Sequence, residues 1–131
     1  MNGSRAVLDT NIIIFASKQQ LDFDKLLNQY DFFYVSIITY MEVYSYEFEN
    51  ENERKLIDEF FEGIEIIDVN KSIAAQTIIY RKNKIKRIKL PDSIILATTK
   101  YIGADLITDD WDDFKGIDND LNINNVDSYK I

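Results

Sequence analysis

The sequence predicts a three-layer α/β fold in which helices flank a parallel sheet of four or five strands. Short apolar runs rich in β-branched residues alternate with longer amphipathic segments, and the runs show little of the polar alternation typical of half-exposed strands. Strands and helices that alternate in this way form βαβ units with parallel strands. Ligands of such sheets bind beyond the carboxyl ends of the strands, so the residues that follow each strand are the first candidates for a functional site.

The individual elements follow from the spacing of apolar residues. Strands are predicted over residues 6–8, 33–35, 64–67, 106–108 and 124–126, the last being the least apolar. Helices are predicted over residues 21–30, 55–62 and 72–84, with two more that begin at a Ser36 cap and after Pro91. With one proline and no low-complexity segment among 131 residues, the chain offers no linker, and residues 1–131 are predicted to form a single domain.

The composition excludes several kinds of functional site. The chain has no histidine and no cysteine, so it cannot form a Ser-His-Asp triad, a thiol nucleophile, a zinc finger or an iron–sulfur cluster. Its four glycines are too far apart for a GxGxxG or Walker A phosphate loop. Acid–base chemistry is therefore left to carboxylates, lysines and tyrosines, and a hard cation held by oxygen ligands remains the obvious cofactor.

The N-terminal region indicates a cytoplasmic protein. Its apolar run is interrupted by Asp9, which makes it too short for a signal peptide, and no segment approaches the length of a membrane span. The lack of cysteine fits a reducing compartment. We therefore expect a cytoplasmic location and no membrane partner.

Acidic residues follow two of the predicted strands. Asp9 comes directly after the first strand, and Asp109 and Asp110 come directly after the fourth. Two interpretations are open for these groups. They are either active-site acids at the edge of the sheet, or turn residues that cap the next helix and form a solvated acidic turn.

Two further acids are placed by helical spacing. Asp92 lies at a predicted helix start, three and four residues before apolar positions, so it points toward the buried side of that helix, although an N-cap role explains it equally well. Glu42 lies four residues after Ile38, at the edge of the apolar stripe of its helix. A carboxylate that extends from this edge into solvent is the alternative for Glu42.

A divalent cation would stabilise these acids if they converge. Like charges about 4 Å apart repel by roughly 4 kcal/mol per pair at an effective dielectric constant of about 20. Ligation by oxygen alone suits Mg²⁺ or Mn²⁺, and a water bound to such a cation can attack phosphorus in line. The hypothesis from the residues is metal-dependent hydrolysis of a phosphate ester by Asp9, Glu42, Asp92 and one of Asp109 or Asp110.

Four segments resemble, in order, the PIN domain family, and within it the VapC-type toxin ribonucleases of bacterial toxin–antitoxin pairs. The matching segments are residues 7–11, 35–42, 90–97 and 103–110, with Phe114 following. Together they nearly span the chain. The resemblance implies a doubly wound, mostly parallel sheet and Mg²⁺- or Mn²⁺-dependent endoribonuclease activity.

The resemblance also implies roles for individual residues. It assigns metal binding and catalysis to four acids: Asp9, Glu42, Asp92 and Asp110. Asn11 and Thr108 are expected to support them. Asp109 is a second acid where the family more often has a polar or basic residue, which leaves the fourth ligand between Asp109 and Asp110.

Three partners are implied as well. They are an RNA substrate, a VapB-like antitoxin that occupies the groove over the acids, and a second copy of the chain in a homodimer. Tyr40, Tyr44 and Phe48 share helical spacing, and an exposed apolar face formed by them would suit one of the two protein partners.

A basic segment precedes Asp92. The net charge of −8 disfavours RNA binding, but cations are concentrated in residues 81–89. The residues predicted to contact RNA phosphates are Arg81, Lys84, Lys86 and Arg87. The alternative is a solvated helix end or loop.

Two other functions fit the same features. A receiver-like signalling domain also places aspartates at strand ends and binds Mg²⁺, although paired acids follow its first strand, whereas Thr10 and Asn11 follow Asp9 here. The second alternative is a PIN scaffold that binds RNA or a protein without cutting.

Overall fold

The computed structural model describes residues 3–131, and its strands form one parallel sheet. The strands are β1 (Arg5–Leu8), β2 (Phe32–Ser36), β3 (Glu65–Ile67), β4 (Asp105–Thr108) and β5 (Ile123–Asn125). They lie in the order β3-β2-β1-β4-β5, and every neighbouring pair is parallel. The predicted sheet is confirmed, with strand bounds that differ by one residue at most.

Helices fill both faces of this sheet. They are α1 (Thr10–Ser17), α2 (Phe23–Leu27), α3 (Ile37–Ser45), α4 (Glu51–Glu62), α5 (Lys71–Arg81), α6 (Leu90–Ile102) and α7 (Trp111–Phe114), and a 3₁₀ turn follows at Val126–Tyr129. Ser36 caps α3 as predicted, because its hydroxyl accepts from the Ile38 amide at 3.1 Å. The predicted helix over 21–30 is shorter than expected, and α4 begins earlier because Asn50 caps it by accepting from the Glu53 amide at 3.0 Å.

Alternate residues of the central strands pack into two separate cores. Leu8 of β1 and Ile107 of β4 belong to one apolar cluster with α1 and α4, whereas Val7 and Leu106 belong to a second with α5 and α6. Successive strand side chains point to opposite faces, so both faces are covered and the molecule has three layers.

The strand order sets the location of the site. The chain starts at the central strand β1, adds β2 and β3 on one side, and then crosses to add β4 and β5 on the other. This is the doubly wound arrangement that the resemblance implies, and its order reverses between β1 and β4. Ligands bind at such a switch point, beyond the carboxyl ends of the two strands.

The apolar face predicted from Tyr40, Tyr44 and Phe48 is only partly exposed. Tyr40 and Tyr44 pack on Phe61 of α4 at ring distances of 5.3 and 5.5 Å, and Phe48 packs against the first core. Tyr44 and Phe48 are half-buried, and only Tyr40 of the three stays exposed. Within residues 3–131, no helix combines the length and apolar character that crossing a membrane requires.

Candidate active site

Asp9 lies at the switch point and is fixed by both strands. Its amide donates to the Ile107 carbonyl at 3.0 Å, and its two carboxylate oxygens accept from the Thr10 amide and the Thr108 hydroxyl, both at 2.8 Å. Asp9 is buried, and this burial raises its pKa to about 6, with smaller contributions from the negative charges of Asp92 and Asp110. Asp9 is thus the N-cap of α1 and a buried acid at once.

Asp92 faces the same edge of the sheet from the first turn of α6. The N-cap position of this helix is Lys89, so the N-cap interpretation of Asp92 is wrong. The pKa of Asp92 is raised to about 6, mainly by partial burial. The charges of Asp113, Glu42 and Asp110 raise it further, in that order, and Lys89 lowers it. Asp92 is therefore electrostatically coupled to acids from two other elements.

Glu42 reaches the cluster through a hydrogen bond with Thr10. The Thr10 hydroxyl donates to Glu42 Oε1 at 2.6 Å, which holds the glutamate next to the Asp9 segment. The side chain is exposed, as the solvent alternative anticipates, because the buried face of α3 is formed by Thr39 and Val43. Sequence reasoning did not identify this role of Thr10, although the residue belongs to the Asp-Thr-Asn segment.

The two acids after β4 have different environments. Asp110 is the N-cap residue of α7, and its amide donates to Thr108 Oγ1 at 2.9 Å. Partial burial raises its pKa, and the charges of Asp113 and Asp109 raise it further. Asp109 instead forms an ion pair with Lys130 at 3.0 Å. The geometry therefore favours Asp110 as the fourth acid. Thr108 is buried between Asp9 and Asp110 and contacts both.

Asp113 is an additional acid beside the site to which the sequence analysis assigns no role. Among the charged groups around Asp92, Asp113 raises its pKa the most. The two carboxylates line a cavity of about 120 Å³ together with Arg87 and Lys89. The signal in the sequence is the helical spacing of three residues between Asp110 and Asp113, next to the buried Phe114.

The remaining predicted site residues differ in whether their side chains are bound to other parts of the chain. Asn11 is exposed on α1, and within residues 3–131 its side chain makes no hydrogen bond to the acids. Arg81 donates to the Ile88 carbonyl at 2.6 Å, and Lys86 donates to carbonyls of α7 and its C-cap, so both are engaged within the chain. Lys84 and Arg87 are exposed, and Arg87 lies beside the acids.

The donor set fits a hard divalent cation with an open coordination shell. Every candidate ligand is a carboxylate. Burial is the main cause that raises the pKa values of Asp9, Asp92 and Asp110, and neighbouring negative charge, which a cation would compensate, raises them further. In the described part of the chain, no three acids lie close enough together to form a closed metal cage. Mg²⁺ commonly binds through one or two carboxylates and keeps several waters, so a closed cage is not required.

Comparison with known proteins establishes the family. The PIN domain family matches residues 6–120. This chain belongs to the PIN domain family. A toxin–antitoxin complex from Klebsiella pneumoniae contains a chain with 30% identity and a TM-score of 0.75, and the match covers 96% of this chain and 99% of that one.

Two further structures share the fold. VapBC2 from Rickettsia felis, bound to a DNA fragment from its promoter, has 26% identity and a TM-score of 0.79 over 94% of this PIN domain and 99% of that chain. DNA-bound VapBC from Salmonella typhimurium has 22% identity, covers 93% and 98% of the two chains, and at a TM-score of 0.77 supports the fold alone. Comparison with curated proteins gives no match.

Family membership confirms the predicted resemblance to VapC-type PIN toxins, a family of nuclease toxins. The receiver-like alternative does not fit, because flavodoxin-like receiver sheets have the strand order 2-1-3-4-5, whereas this sheet has the order 3-2-1-4-5.

Proposed function

We propose that this PIN domain is a metal-dependent endoribonuclease that acts as the VapC-like toxin of a toxin–antitoxin pair, with residues 1–131 as its single nuclease domain. The supporting observation is the electrostatic coupling of acids from four separate segments at the sheet switch point: Asp9, Glu42, Asp92 and Asp110. Carboxylates that repel one another, with Asp9 buried and Asp92 half-buried, destabilise the fold, and a bound cation would offset this cost. Their convergence therefore favours a cation site.

The cation would be Mg²⁺ or Mn²⁺, bound directly by one or two of the carboxylates of Asp9, Asp92 and Asp110 and through waters by the others, with Glu42 at the open side. When bound, it would acidify a water and stabilise the negative charge that develops on the phosphate oxygens during hydrolysis. The carboxylates supply the hard oxygen donors that both cations prefer.

The residues of the chain divide the remaining tasks. Thr108 orients Asp9 by donating to one of its oxygens, and the same hydroxyl oxygen holds the start of α7 through the Asp110 amide. Thr10 occupies only one oxygen of Glu42, so the second oxygen is available to orient the attacking water and accept its proton. We assign this role to Glu42 because its exposed carboxylate is held beside the Asp9 segment by Thr10, whereas Asp9 is buried and Asp92 is half-buried.

RNA would be bound through its phosphates beside the acids. Arg87 lines the cavity that contains Asp92 and Asp113, and its planar guanidinium can donate two hydrogen bonds to one phosphate. Lys84 is exposed on the same loop and would add a second, longer-range contact. Such contacts position the RNA backbone without reading its sequence.

Two protein partners are proposed. The relatives are found in toxin–antitoxin complexes, and an apolar cavity of about 280 Å³, lined by residues such as Ile13, Phe23 and Phe60 between α1, α2 and α4, suits apolar side chains of an antitoxin. A homodimer would cover Ile79 and Tyr101, which are 63% and 54% exposed on α5 and α6.

Cleavage of labelled RNA tests the proposed activity. With Mg²⁺ or Mn²⁺ present, Asp9→Asn and Asp92→Asn are expected to reduce the rate by about 100-fold or more, and EDTA should abolish it, because each change removes charge that holds the cation. Asp110→Asn should be far more damaging than Asp109→Asn, since only Asp110 faces Asp9. Asp24→Asn, an exposed carboxyl on α2, is the matched control.

Cleavage that persists at the original rate in both the Asp9 and the Asp92 variants would refute the assignment. RNA binding without any cleavage by the wild-type chain would favour a PIN scaffold that no longer cuts.

A further inference from the structure

We infer that Lys86 is a positioning residue that holds α7, and with it Asp110 and Asp113, against the start of α6 where Asp92 lies. The inference rests on the proposed nuclease function and gives Lys86 a different role from the RNA contact expected from the sequence. Its basis is a set of hydrogen bonds that join the basic loop before α6 to the end of α7.

The ammonium group of Lys86 binds the carboxyl end of α7. Its Nζ donates to the Asp112 carbonyl and, at 2.7 Å, to the carbonyl of Lys115, the C-cap residue of α7. Carbonyls at a helix C-terminus lack partners within the helix, and a cation there also interacts favourably with the helix dipole. Lys86 is half-buried, whereas Lys84 on the same loop is exposed. Lys86 is therefore occupied by contacts within the fold, whereas the exposed side chain of Lys84 can contact RNA.

The loop itself is built to present Lys86 to α7. The Asn83 side chain accepts from the amides of Ile85 and Lys86 at 2.9 and 3.0 Å, which makes a tight turn directly before the lysine side chain. After the lysine, Arg81 donates to the carbonyl of the buried Ile88 at 2.6 Å. The loop is therefore fixed on both sides of Lys86.

The position of α7 matters because this helix is short and carries acids. It spans only Trp111–Phe114, too few residues to be stable without outside contacts. Its start is attached to Thr108 through the Asp110 amide. Its end is attached by Lys86 to the loop before α6, and Arg87 and Lys89 of that loop line the cavity that Asp92 and Asp113 share. Loss of Lys86 would let like charges move apart and would loosen the site that a cation needs.

Steady-state kinetics on the full chain separates the two roles of the loop lysines. With RNA and Mn²⁺, Lys86→Met should reduce kcat by about tenfold or more, because small displacements of catalytic groups are costly, while KM changes by less than about twofold. Lys84→Met should instead raise KM. Lys86→Arg should recover most of kcat, since a guanidinium can also donate to two carbonyls.

The only tryptophan of the chain, Trp111, gives a readout that does not depend on cleavage. It lies on α7 and donates to the Ile123 carbonyl at 2.9 Å. Without metal or RNA, Lys86→Met should increase quenching of Trp111 fluorescence by acrylamide, whereas Lys84→Met should not. This measurement tests the positioning role of Lys86 even if the wild-type chain cuts no RNA. Failure of the Lys86 proposal can therefore be distinguished from failure of the proposed nuclease function.

Unchanged Trp111 quenching in Lys86→Met, together with a rise in KM like that of Lys84→Met, would overturn the inference and return Lys86 to the RNA contacts. If Lys86→Met melts below the assay temperature, Lys86→Gln replaces it, because the amide still donates to one carbonyl. Intermediate quenching in that variant supports the inference, and quenching equal to wild type contradicts it.

Discussion

Asp9 occupies a position that favours its neutral form in the absence of a cation. Burial raises its pKa from 3.8 to about 6, even though it accepts hydrogen bonds from Thr108 and Thr10. Between these two pH values the folded chain binds more protons than the unfolded chain. The free energy of unfolding therefore falls as the pH rises from about 4 to about 6, and the penalty persists above that range.

Asp9→Asn is expected to stabilise the metal-free protein at neutral pH. A neutral amide avoids the cost of burying a charge, and the pKa shift puts this cost at about 3 kcal/mol at most. The amide accepts a weaker hydrogen bond from Thr108 than the carboxylate does, which offsets part of the gain. We expect a gain of about 1–2 kcal/mol at pH 7.5 and almost none at pH 4, measured by urea unfolding in EDTA. Equal stability of Asp9→Asn and wild type at pH 7.5 would contradict the unfavourable burial of this charge.

At the scale of elements, the strands were predictable and one loop was not. The central strands β1 and β4 are short apolar runs buried on both faces, a signal that exists in the sequence itself. The end of α5 depends on a local competition: the Asn83 side chain binds loop amides, and the helix stops at Arg81 instead of residue 84. This early stop creates the loop that presents Lys86.

The candidate site is also predictable only in part, because the strands place some of its acids and local packing places the others. Asp9 and Asp110 follow strands, so topology alone brings them together. Asp113 and Thr10 could not be assigned, because their roles depend on which way a four-residue helix faces and on a side-chain contact between α1 and α3. Glu42 was found from its position on α3, but its exposure follows from the packing of that helix.

The basic loop should contribute to RNA affinity through its exposed residues only. Lys84→Met and Arg87→Met are each expected to reduce the slope of log K against log salt by about 0.7, the value for one phosphate contact on single-stranded RNA. Polarisation of labelled RNA bound to the Asp9→Asn background measures this without cleavage. Lys86→Met should leave the slope unchanged, and Lys55→Met on α4 is the charge-matched control. Equal slopes in all four variants would remove the loop from the RNA site.

The whole molecule carries a net charge of −8, and its switch point adds a local concentration of acids. Added Mg²⁺ is therefore expected to raise Tm by about 4 °C at pH 8 when its concentration is about ten times Kd. At pH 5 the increase should be much smaller, because Asp9 and Asp92, whose pKa values are raised to about 6, are then mostly protonated.

Thermal unfolding with Mg²⁺ and with NaCl at the same ionic strength measures this effect. An identical increase in Tm with both salts would indicate general screening of charge and no cation site. A smaller Mg²⁺ effect in Asp92→Asn than in Asp24→Asn would locate the effect at the switch point.

The acids at the switch point come from residues spread over most of the chain, from Asp9 directly after β1 to Asp110 directly before α7. During synthesis the early segments emerge and begin to fold first. A nascent chain that has not yet exposed α7 and β5 outside the ribosome lacks both the last acid and the edge strand beside it. The proposed RNA cleavage therefore requires that these late segments have left the ribosome, which is itself built largely of RNA.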